Sequence, residues 1–299
     1  MITVFGSINM DLIATTARLP KPGETVAGKG FSTAAGGKGA NQALAATRAG
    51  SRVRMAGAVG TDGFAAAALS LLQAAGTDLY SIKRSPASTG TALILVGGDG
   101  ENMIAVVAGA NGTLDESDAS AAVNTMQAGD ILMLQLEIPA TAVDRALSDA
   151  SVRGITTIIN IAPLTPEAAR LGRMADIVIA NETEFELLAA QDGMGADERE
   201  KALLRLHAET GQTVIVTLGA DGVIAIHEGQ IHRAKGLDIV PVDTVGAGDT
   251  FCGYFAAGLD QGLGFPEALR RAAVAGSLAC LKPGAQPSIP LAEEITARL

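Results

Sequence analysis

Two aspartates flank a short glycine-rich segment late in the chain. In "PVDTVGAGDTF", residues 241–251, Asp243 and Asp249 lie on either side of Gly246 and Gly248, and an apolar stretch with helical character follows. Backbone N–H groups at the start of a helix attract anions. Asp249 could simply cap this helix, but capping requires neither glycine and leaves Asp243 unexplained. The question is therefore whether Asp249 has a chemical role beside an anion-binding site or only caps a helix.

A second glycine-rich segment, "AAGGKGANQALAA" at 34–46, leads into a predicted helix with Asn41 in its first turn. It is not a P-loop, because Gly39 rather than serine or threonine follows Lys38, and it does not complete a dinucleotide fingerprint. Its glycines permit a close backbone approach to a polar ligand, with which Asn41 can both donate and accept hydrogen bonds.

Three further polar groups follow predicted strands. Asn9 and Asp11 in "GSINMD" share a face of an extended chain and suit the vicinal hydroxyls of a sugar, although an Asx-turn also explains them. Glu137 ends the run "LQLE" at the edge where parallel sheets place ligands. Asn181 and Glu184 in "ANETEFELL" are three residues apart, which suits water-mediated Mg²⁺ binding but also an acid-rich helix start.

The turn "TLGADG" at 217–222 ends another predicted strand. It could hold nucleotide phosphates through backbone N–H groups, or it could form a tight hairpin. Taken together, these segments place four kinds of group at the carboxyl ends of strands. These are hydroxyl-binding side chains, glycine-rich turns that can bind phosphate, a carboxylate that can assist metal binding, and the carboxylate of Asp249. Phosphoryl transfer to a hydroxyl requires this combination.

The order of predicted elements indicates an α/β fold with a central, mainly parallel sheet covered by helices. Short β-branched runs predict buried strands at 2–8, 131–137, 156–161, 176–180 and 213–218. Ala/Leu-rich stretches predict helices at 38–49, 62–75, 139–152, 183–190, 196–210, 249–262 and 266–281. Two stretches, 11–35 and 89–109, carry strand-like runs without helices between them, and "LVGGDGENMIAVV" predicts a hairpin. We expect these to form a small separate sheet, usable as a lid or a dimer surface.

Composition excludes several classes of protein. The 299 residues suffice for one large domain, and no repeat or linker divides residues 1–299. A net charge of −10 argues against nucleic acid as a partner, and no apolar run is long enough for a membrane span. The first residues lack the basic region of a signal peptide, and Cys252 and Cys280 lie in apolar segments typical of reduced cysteines, so a cytoplasmic protein is expected.

With "DTVGAGDTF", "GGKGANQALAA", "NETE" and "TLGADG", the sequence resembles the ribokinase family of carbohydrate kinases. The resemblance runs from residue 6 to residue 290, and "QLE" and "GAQPS" point to the members that phosphorylate D-ribose at its 5-hydroxyl. It implies a three-layer α/β/α fold with a small β-sheet lid that often forms a homodimer contact. It also implies ATP as phosphoryl donor, with Mg²⁺ and K⁺ as cofactors.

The resemblance assigns roles to residues by position. Asp249 would be the catalytic base, beside an anion hole of Gly246, Ala247 and Gly248. The sugar would be held by Asp249 with Asn9, Asp11, Gly37, Lys38, Gly39, Ala40, Asn41 and Glu137. ATP would contact Gly248 and Asp249 with Asn181, Thr217, Leu218, Gly219, Ala220, Asp221, Gly222 and Ala273. Glu184 would serve Mg²⁺ through water, and a monovalent cation would be bound by Asp243, Val245, Ala279, Lys282, Gly284 and Ser288, several through main-chain carbonyls.

Three alternatives remain open. A related kinase could act on deoxyribose, another sugar or a nucleoside, although an aromatic content of 3% counts against binding a nucleoside base. A dinucleotide-dependent oxidoreductase shares the α/β pattern, but neither "GAGDTF" nor "GKGANQ" completes its fingerprint. A sugar-binding sensor without catalysis is the third, and the presence of Asp249 and the NxxE motif argues against it.

Overall fold

The structure, a computed structural model, describes residues 1–299. Its strands are β1 (Ile2–Phe5), β2 (Asn9–Thr16), β3 (Gly28–Gly36), β4 (Val53–Val59), β5 (Ile82–Arg84), β6 (Gly90–Val96), β7 (Asn102–Val107), β8 (Ile131–Leu134), β9 (Thr156–Asn160), β10 (Ile177–Asn181), β11 (Thr213–Thr217), β12 (Val223–His227) and β13 (Gln230–Ala234). Its α-helices are α1 (Lys38–Arg48), α2 (Phe64–Ala75), α3 (Glu116–Asn124), α4 (Ala140–Val152), α5 (Ala168–Gly172), α6 (Glu182–Ala189), α7 (Ala196–Thr210), α8 (Ala247–Asp260), α9 (Phe265–Ala279), α10 (Ala285–Ser288) and α11 (Ala292–Thr296).

Nine strands form a large sheet in the order β13-β12-β11-β10-β9-β8-β1-β4-β5. The pairs from β11 to β5 are parallel, and β12 and β13 extend the sheet as antiparallel strands. The five predicted buried strands are confirmed, but β1 and β8 end three residues earlier than predicted. After β1 the chain leaves the sheet and packs on α1, where the Ser7 carbonyl accepts from the Ala40 N–H at 2.9 Å.

Two apolar layers cover the large sheet. One lies between the sheet and α1, α2, α8 and α9, and includes Leu44, Phe251 and Phe255. The other lies between the opposite face and α3, α4, α6 and α7, and includes Val143 and Phe185. Because both faces of a parallel sheet are buried, its strands carry continuous runs of aliphatic residues. The three-layer α/β/α architecture predicted from the sequence is confirmed.

The helix boundaries depend on capping groups. Helix α6 begins at Glu182, one residue before the predicted start, because the Asn181 side chain caps it. The predicted start of α2 at Asp62 is two residues early, but the Asp62 carboxylate does accept from the Phe64 and Ala65 N–H groups. Pro266 lies in the first turn of α9, as predicted.

The remaining four strands form a separate small sheet in the order β3-β2-β6-β7. Strands β6 and β7 are the predicted hairpin. Apolar side chains on this sheet are exposed to solvent, with Phe31 71% and Ile104 53% accessible. The predicted separate β layer is confirmed, and it leaves an apolar surface that the large sheet does not cover. None of the helices combines the length and apolar character needed to cross a bilayer.

Candidate active site

The parallel strands bring polar residues together at one edge of the large sheet. Strands β1, β8, β9, β10 and β11 run side by side in the same direction. Asn160, Asn181 and Thr217 are the last residues of β9, β10 and β11, and the segments after β1 and β8 contribute Ser7 and Glu137. This is the edge at which open α/β sheets bind ligands.

Asp249 projects from the first turn of α8 towards α1. It is the third residue of the helix, whose N-cap is Gly246, and it caps no backbone N–H group. Its carboxylate instead accepts from the Asn41 amide at 2.8 Å and the Gln42 amide at 3.1 Å. The helix-cap explanation of Asp249 is therefore wrong. This carboxylate is 6% exposed, is held by two neutral donors and lies near the positive end of a helix.

Gly246 adopts a left-handed conformation with φ of 78°, which disfavours other residues. An added Cβ would also lie 2.9 Å from Ala285 Cα. Gly248 has no atom within 4 Å of an added Cβ, so open space borders the helix start there. The N–H groups of Gly246 and Gly248 have no partner within the protein, and that of Ala247 makes a long 3.3 Å hydrogen bond to the Thr244 carbonyl. The start of α8 therefore offers N–H groups to that space, where an anion can bind.

The glycines of the "GGKG" segment allow it to pack against the end of β1. An added Cβ on Gly37 would lie 2.7 Å from the Asn9 nitrogen, and one on Gly39 would lie 2.6 Å from the Ser7 nitrogen. Ala40 is fully buried, and its N–H bonds the Ser7 carbonyl. Ala40 therefore contributes to packing and offers no side chain to the cleft.

Glu137 lies beside this segment. Its Oε2 atom accepts from the Ser7 hydroxyl at 2.6 Å and from the Lys38 N–H at 3.0 Å. Asn9 is 3% exposed, and its Oδ1 atom accepts from Asn111 at 2.7 Å. Hydrogen bonds from within the protein therefore fix the orientations of the Glu137 and Asn9 side chains.

Asn41 has one polar atom without a partner. Its amide nitrogen donates to Asp249, but its Oδ1 atom is buried and accepts no hydrogen bond. A buried acceptor without a donor costs about 1–3 kcal/mol. A ligand hydroxyl that donated to this atom would remove that cost.

Five ionisable groups interact electrostatically in the cleft. Burial and the carboxylates of Glu137 and Asp249 raise the pKa of Asp11 to about 6. Burial also raises the pKa of Glu184. The Asp249 carboxylate raises the pKa of Lys38 above its usual range, against the effect of burial. The cleft therefore holds several carboxylates around one ammonium group.

Asn181 and Glu184 form a reciprocal capping box at the start of α6. The Asn181 Oδ1 atom accepts from the Glu184 N–H, and the Glu184 Oε2 atom accepts from the Asn181 N–H, both at 2.8 Å. No group of three or more His, Cys, Asp or Glu side chains is arranged to hold a metal ion. Since Mg²⁺ in nucleotide sites retains several waters and phosphate ligands, the single carboxylate of Glu184 is sufficient protein ligation for this metal.

The segment Leu218–Gly222 turns β11 into β12, so the hairpin alternative for "TLGADG" is confirmed. It includes a short 3₁₀ turn of Gly219, Ala220 and Asp221. Gly222 has φ of 92°, and an added Cβ would lie 2.3 Å from the Ala234 carbonyl. Thr217 directly precedes this turn. Ala273 on α9 is 8% exposed and lies beneath Gly236: a Cβ added to Gly236 would lie 3.2 Å from the Ala273 carbonyl.

Asp243 connects two loops next to the start of α8. Its carboxylate accepts from the Val245 N–H at 3.0 Å and the Gly284 N–H at 2.8 Å. Ala279 ends α9, and the residue four positions later is Pro283, which has no N–H to bond the Ala279 carbonyl. A carboxylate and a free carbonyl fit a hard monovalent cation.

The other expected cation ligands differ in their availability. The Lys282 ammonium pairs with Glu294 at 3.3 Å, so only the Lys282 carbonyl could take part. Ser288 is buried and donates its hydroxyl hydrogen to the Ala285 carbonyl at 2.8 Å. Its oxygen lone pairs stay available as ligands.

Five side chains of this site were not identified from the sequence: Ser7, Gln42, Asn111, Gln135 and Asn160. Gln42 directly follows Asn41, and Gln135 is a polar residue after an apolar strand, so each carried a weak local signal. Their partners are distant in sequence: Gln42 and Asp249 are 207 positions apart. Only the packing of α1 on α8 reveals that contact.

Comparison with known proteins gives consistent matches over the whole chain. A model of the pfkB family of carbohydrate kinases matches residues 1–292. The ribokinase of Haemophilus influenzae is 36% identical over 294 residues, covering 98% of this chain and 96% of that protein. A deoxyribokinase of Salmonella typhi is 33% identical over 298 residues, covering 98% and 96%. A solved structure of Arabidopsis thaliana ribokinase complexed with ribose and ATP has a TM-score of 0.88 and 30% identity, covering 99% of this chain and 97% of that one.

Proposed function

The chain belongs to the pfkB family of carbohydrate kinases, and from this premise we propose that it transfers the γ-phosphoryl group of ATP to the 5-hydroxyl of D-ribose. The products are D-ribose 5-phosphate and ADP. The observation that carries the proposal is the Asp249 carboxylate, which lies in the first turn of α8, is not a cap and is oriented by two amides. The full-length similarity to ribokinases supports the choice of sugar.

The sugar occupies the space between the small sheet and the "GGKG" segment in this proposal. Asp11, Glu137 and Asn41 supply acceptors for its hydroxyls, and the buried Asn41 Oδ1 atom gains the donor that it lacks. Asn9 is oriented by Asn111, and the backbone of Gly37, Lys38 and Gly39 supplies the wall. A site built on such directed hydrogen bonds discriminates strongly against sugars that lack one hydroxyl.

Asp249 acts as the general base. Each of its oxygens accepts one amide hydrogen, and each retains a lone pair that can take the proton of the 5-hydroxyl as its oxygen attacks the γ-phosphorus. The N–H groups at Gly246, Ala247 and Gly248 stabilise negative charge on the transferring group. Base and anion site belong to one helix turn, so their geometry is fixed together.

The nucleotide binds along the ends of β10, β11 and the turn that follows. Asn181, Thr217 and the segment Leu218–Gly222 contact ATP, and Ala273 lies near the adenine. Glu184 would hold Mg²⁺ through water, and the bound ion would supply neutralisation of phosphate charge. A monovalent cation, K⁺, would be held by the segment from Asp243 to Val245 with the carbonyl of Ala279 and residues Lys282, Gly284 and Ser288. The bound ion would order the loop before α8.

Two copies of the chain associate through the small sheet in this proposal. Its exposed apolar side chains, among them Phe31, Leu93, Met103, Ile104 and Val106, are between 48% and 71% accessible. Phe31, Leu93 and Met103 share one face of the sheet, whereas Ile104 and Val106 lie on the face that carries Asp11. Exposed apolar side chains grouped on a sheet face mark an interaction site. Burial against the same sheet of a second copy covers it and places a stable wall above the sugar site.

The test is a panel of sugars with ATP, Mg²⁺ and K⁺, followed by identification of the phosphorylated position. We expect D-ribose to give the highest kcat/KM and the 5-phosphate to be the product. The similarity to a deoxyribokinase makes 2-deoxyribose the most informative competitor. A higher kcat/KM for 2-deoxyribose or a hexose would replace ribose as the substrate, and absence of phosphorylation of any sugar would refute the kinase proposal.

A further inference from the structure

Gln42 uses all of its hydrogen-bonding groups on buried polar partners. Its Nε2 atom donates to Asp249 Oδ1 at 3.1 Å and to Asn160 Oδ1 at 3.4 Å, and its Oε1 atom accepts from Gln135 Nε2 at 2.7 Å. Gln42 is 1% exposed and Gln135 is fully buried. We call Gln42, Gln135 and Asn160 the amide cluster.

The orientation of each amide in the cluster follows from its neighbours. Asn160 donates its Nδ2 hydrogen to the Ile179 carbonyl at 3.2 Å, so its Oδ1 atom faces Gln42. Gln42 therefore meets two acceptors, Asn160 Oδ1 and the Asp249 carboxylate, and must present its N–H₂ group to them. Rotating the Gln42 amide by half a turn would place its oxygen against both acceptors.

Close packing of helices brings this cluster to the carboxylate. Gly253 on α8 lies against α1, and an added Cβ there would be 2.5 Å from the Gln42 carbonyl and from Ala45 Cβ. Gly6 makes room for Gln135 in the same way, since its added Cβ would lie 2.0 Å from Gln135 Oε1. Gln135 Oε1 is buried without a donor, a destabilising feature that packing alone does not require.

We propose that Gln42 is a positioning residue for phosphoryl transfer: anchored by Gln135 and Asn160, it holds the Asp249 carboxylate turned towards the sugar hydroxyl. This inference rests on the proposed kinase function and identifies what orients its base. Asn41 binds the other carboxylate oxygen and also faces the cleft, whereas Gln42 acts only through Asp249. A hydrogen bond to the charged form of a carboxylate favours that form.

The test compares Gln42→Met with the wild-type enzyme as a function of pH. Methionine keeps the length of the side chain and removes its N–H donors. We expect kcat to fall roughly 10- to 100-fold, because misplacing a reacting group by about 1 Å has effects of this size. KM for ribose and for ATP should change by less than about threefold, since Gln42 touches neither substrate in the proposed site.

The acidic limb of the kcat profile should move to higher pH by roughly one to two units, which is the value of one hydrogen bond to a charged group. The other charged and titratable groups that face Asp249, namely Asp11, Lys38, Glu184 and the buried Cys252 thiol, are the same in both proteins. A shift of the profile therefore reports the lost donor, and a merely structural role would not produce it.

Gln212→Met is the matched control. Gln212 is a buried glutamine that donates to the Gly172 and Ala175 carbonyls away from the cleft. It should lower the melting temperature and leave the pH profile unchanged. If Gln42→Met does not fold, Gln135→Met tests the same series of hydrogen bonds. It removes the donor to the Gln42 Oε1 atom and keeps the contact between Gln42 and Asp249.

A wild-type profile in a folded Gln42→Met protein would overturn this inference, and so would an equal loss of kcat in Gln212→Met. The outcome for the proposed function is separate. If the wild-type enzyme phosphorylates no sugar, the proposed function fails. If it phosphorylates ribose and requires Asp249 but not Gln42, only the positioning role fails.

Discussion

Asp11→Asn tests whether the candidate sugar site reduces the stability of the ligand-free protein. Asp11 lies at the base of the small sheet, where burial and two neighbouring carboxylates raise its pKa from 3.8 to about 6. The folded protein therefore binds the Asp11 proton more tightly than the unfolded chain does. Below the unfolded-state pKa, Asp11 does not change the free energy of unfolding. Above about pH 6, its ionisation lowers that free energy by the full amount that corresponds to the pKa difference.

The magnitude follows from the pKa difference. A separation of about 2 pKa units corresponds to about 3 kcal/mol of unfolding free energy above pH 7, and about half of that applies near pH 5. Asparagine keeps the shape of the side chain and carries no charge. The variant should therefore be more stable than the wild type by up to about 3 kcal/mol at neutral pH, with a smaller gain in acid.

The assay is urea unfolding of the ligand-free proteins at about pH 5 and about pH 7.5, with kcat/KM for ribose measured in parallel. The gain in stability should be accompanied by a loss in kcat/KM, because the carboxylate is a proposed acceptor for a sugar hydroxyl. Asp192→Asn, on the exposed turn after α6, is the control and should change neither quantity. An equal effect of Asp11→Asn at both pH values, or a loss of stability at neutral pH, would refute the reasoning.

Three further substitutions or conditions test the remaining parts of the site. Asp249→Asn should lower kcat by roughly 10² to 10⁴-fold while melting temperature and ligand binding, measured by calorimetry, change little; near-normal turnover would contradict the base assignment. K⁺ should raise kcat above the rate in Na⁺ or in a large organic cation, and Asp243→Ala should abolish that difference in steady-state assays; equal wild-type rates in all cations would argue against the site. Sedimentation at micromolar concentration should show a dimer that Met103→Lys with Ile104→Glu converts to a monomer, and a wild-type monomer would exclude association through the small sheet.

Local sequence patterns were sufficient for the architecture. Alternating β-branched and Ala/Leu-rich runs predict buried strands and amphipathic helices because side-chain burial repeats with the period of each element. Glycines at Gly37, Gly39 and Gly246 also indicate close backbone contacts, and each has a neighbour within 3 Å of an added Cβ. These properties depend on a residue and its near neighbours, so a single sequence contains them.

Tertiary packing decided which polar residues act together. The sequence left open whether Asp249 caps a helix, and the answer depends on Asn41 and Gln42, more than 200 positions away. The raised pKa of Asp11 likewise depends on burial and on Glu137 and Asp249, which belong to other elements. Hydrogen-bond partners and local electrostatics are properties of three-dimensional distance, and periodicity along the chain specifies the face of an element but not the residue that it meets.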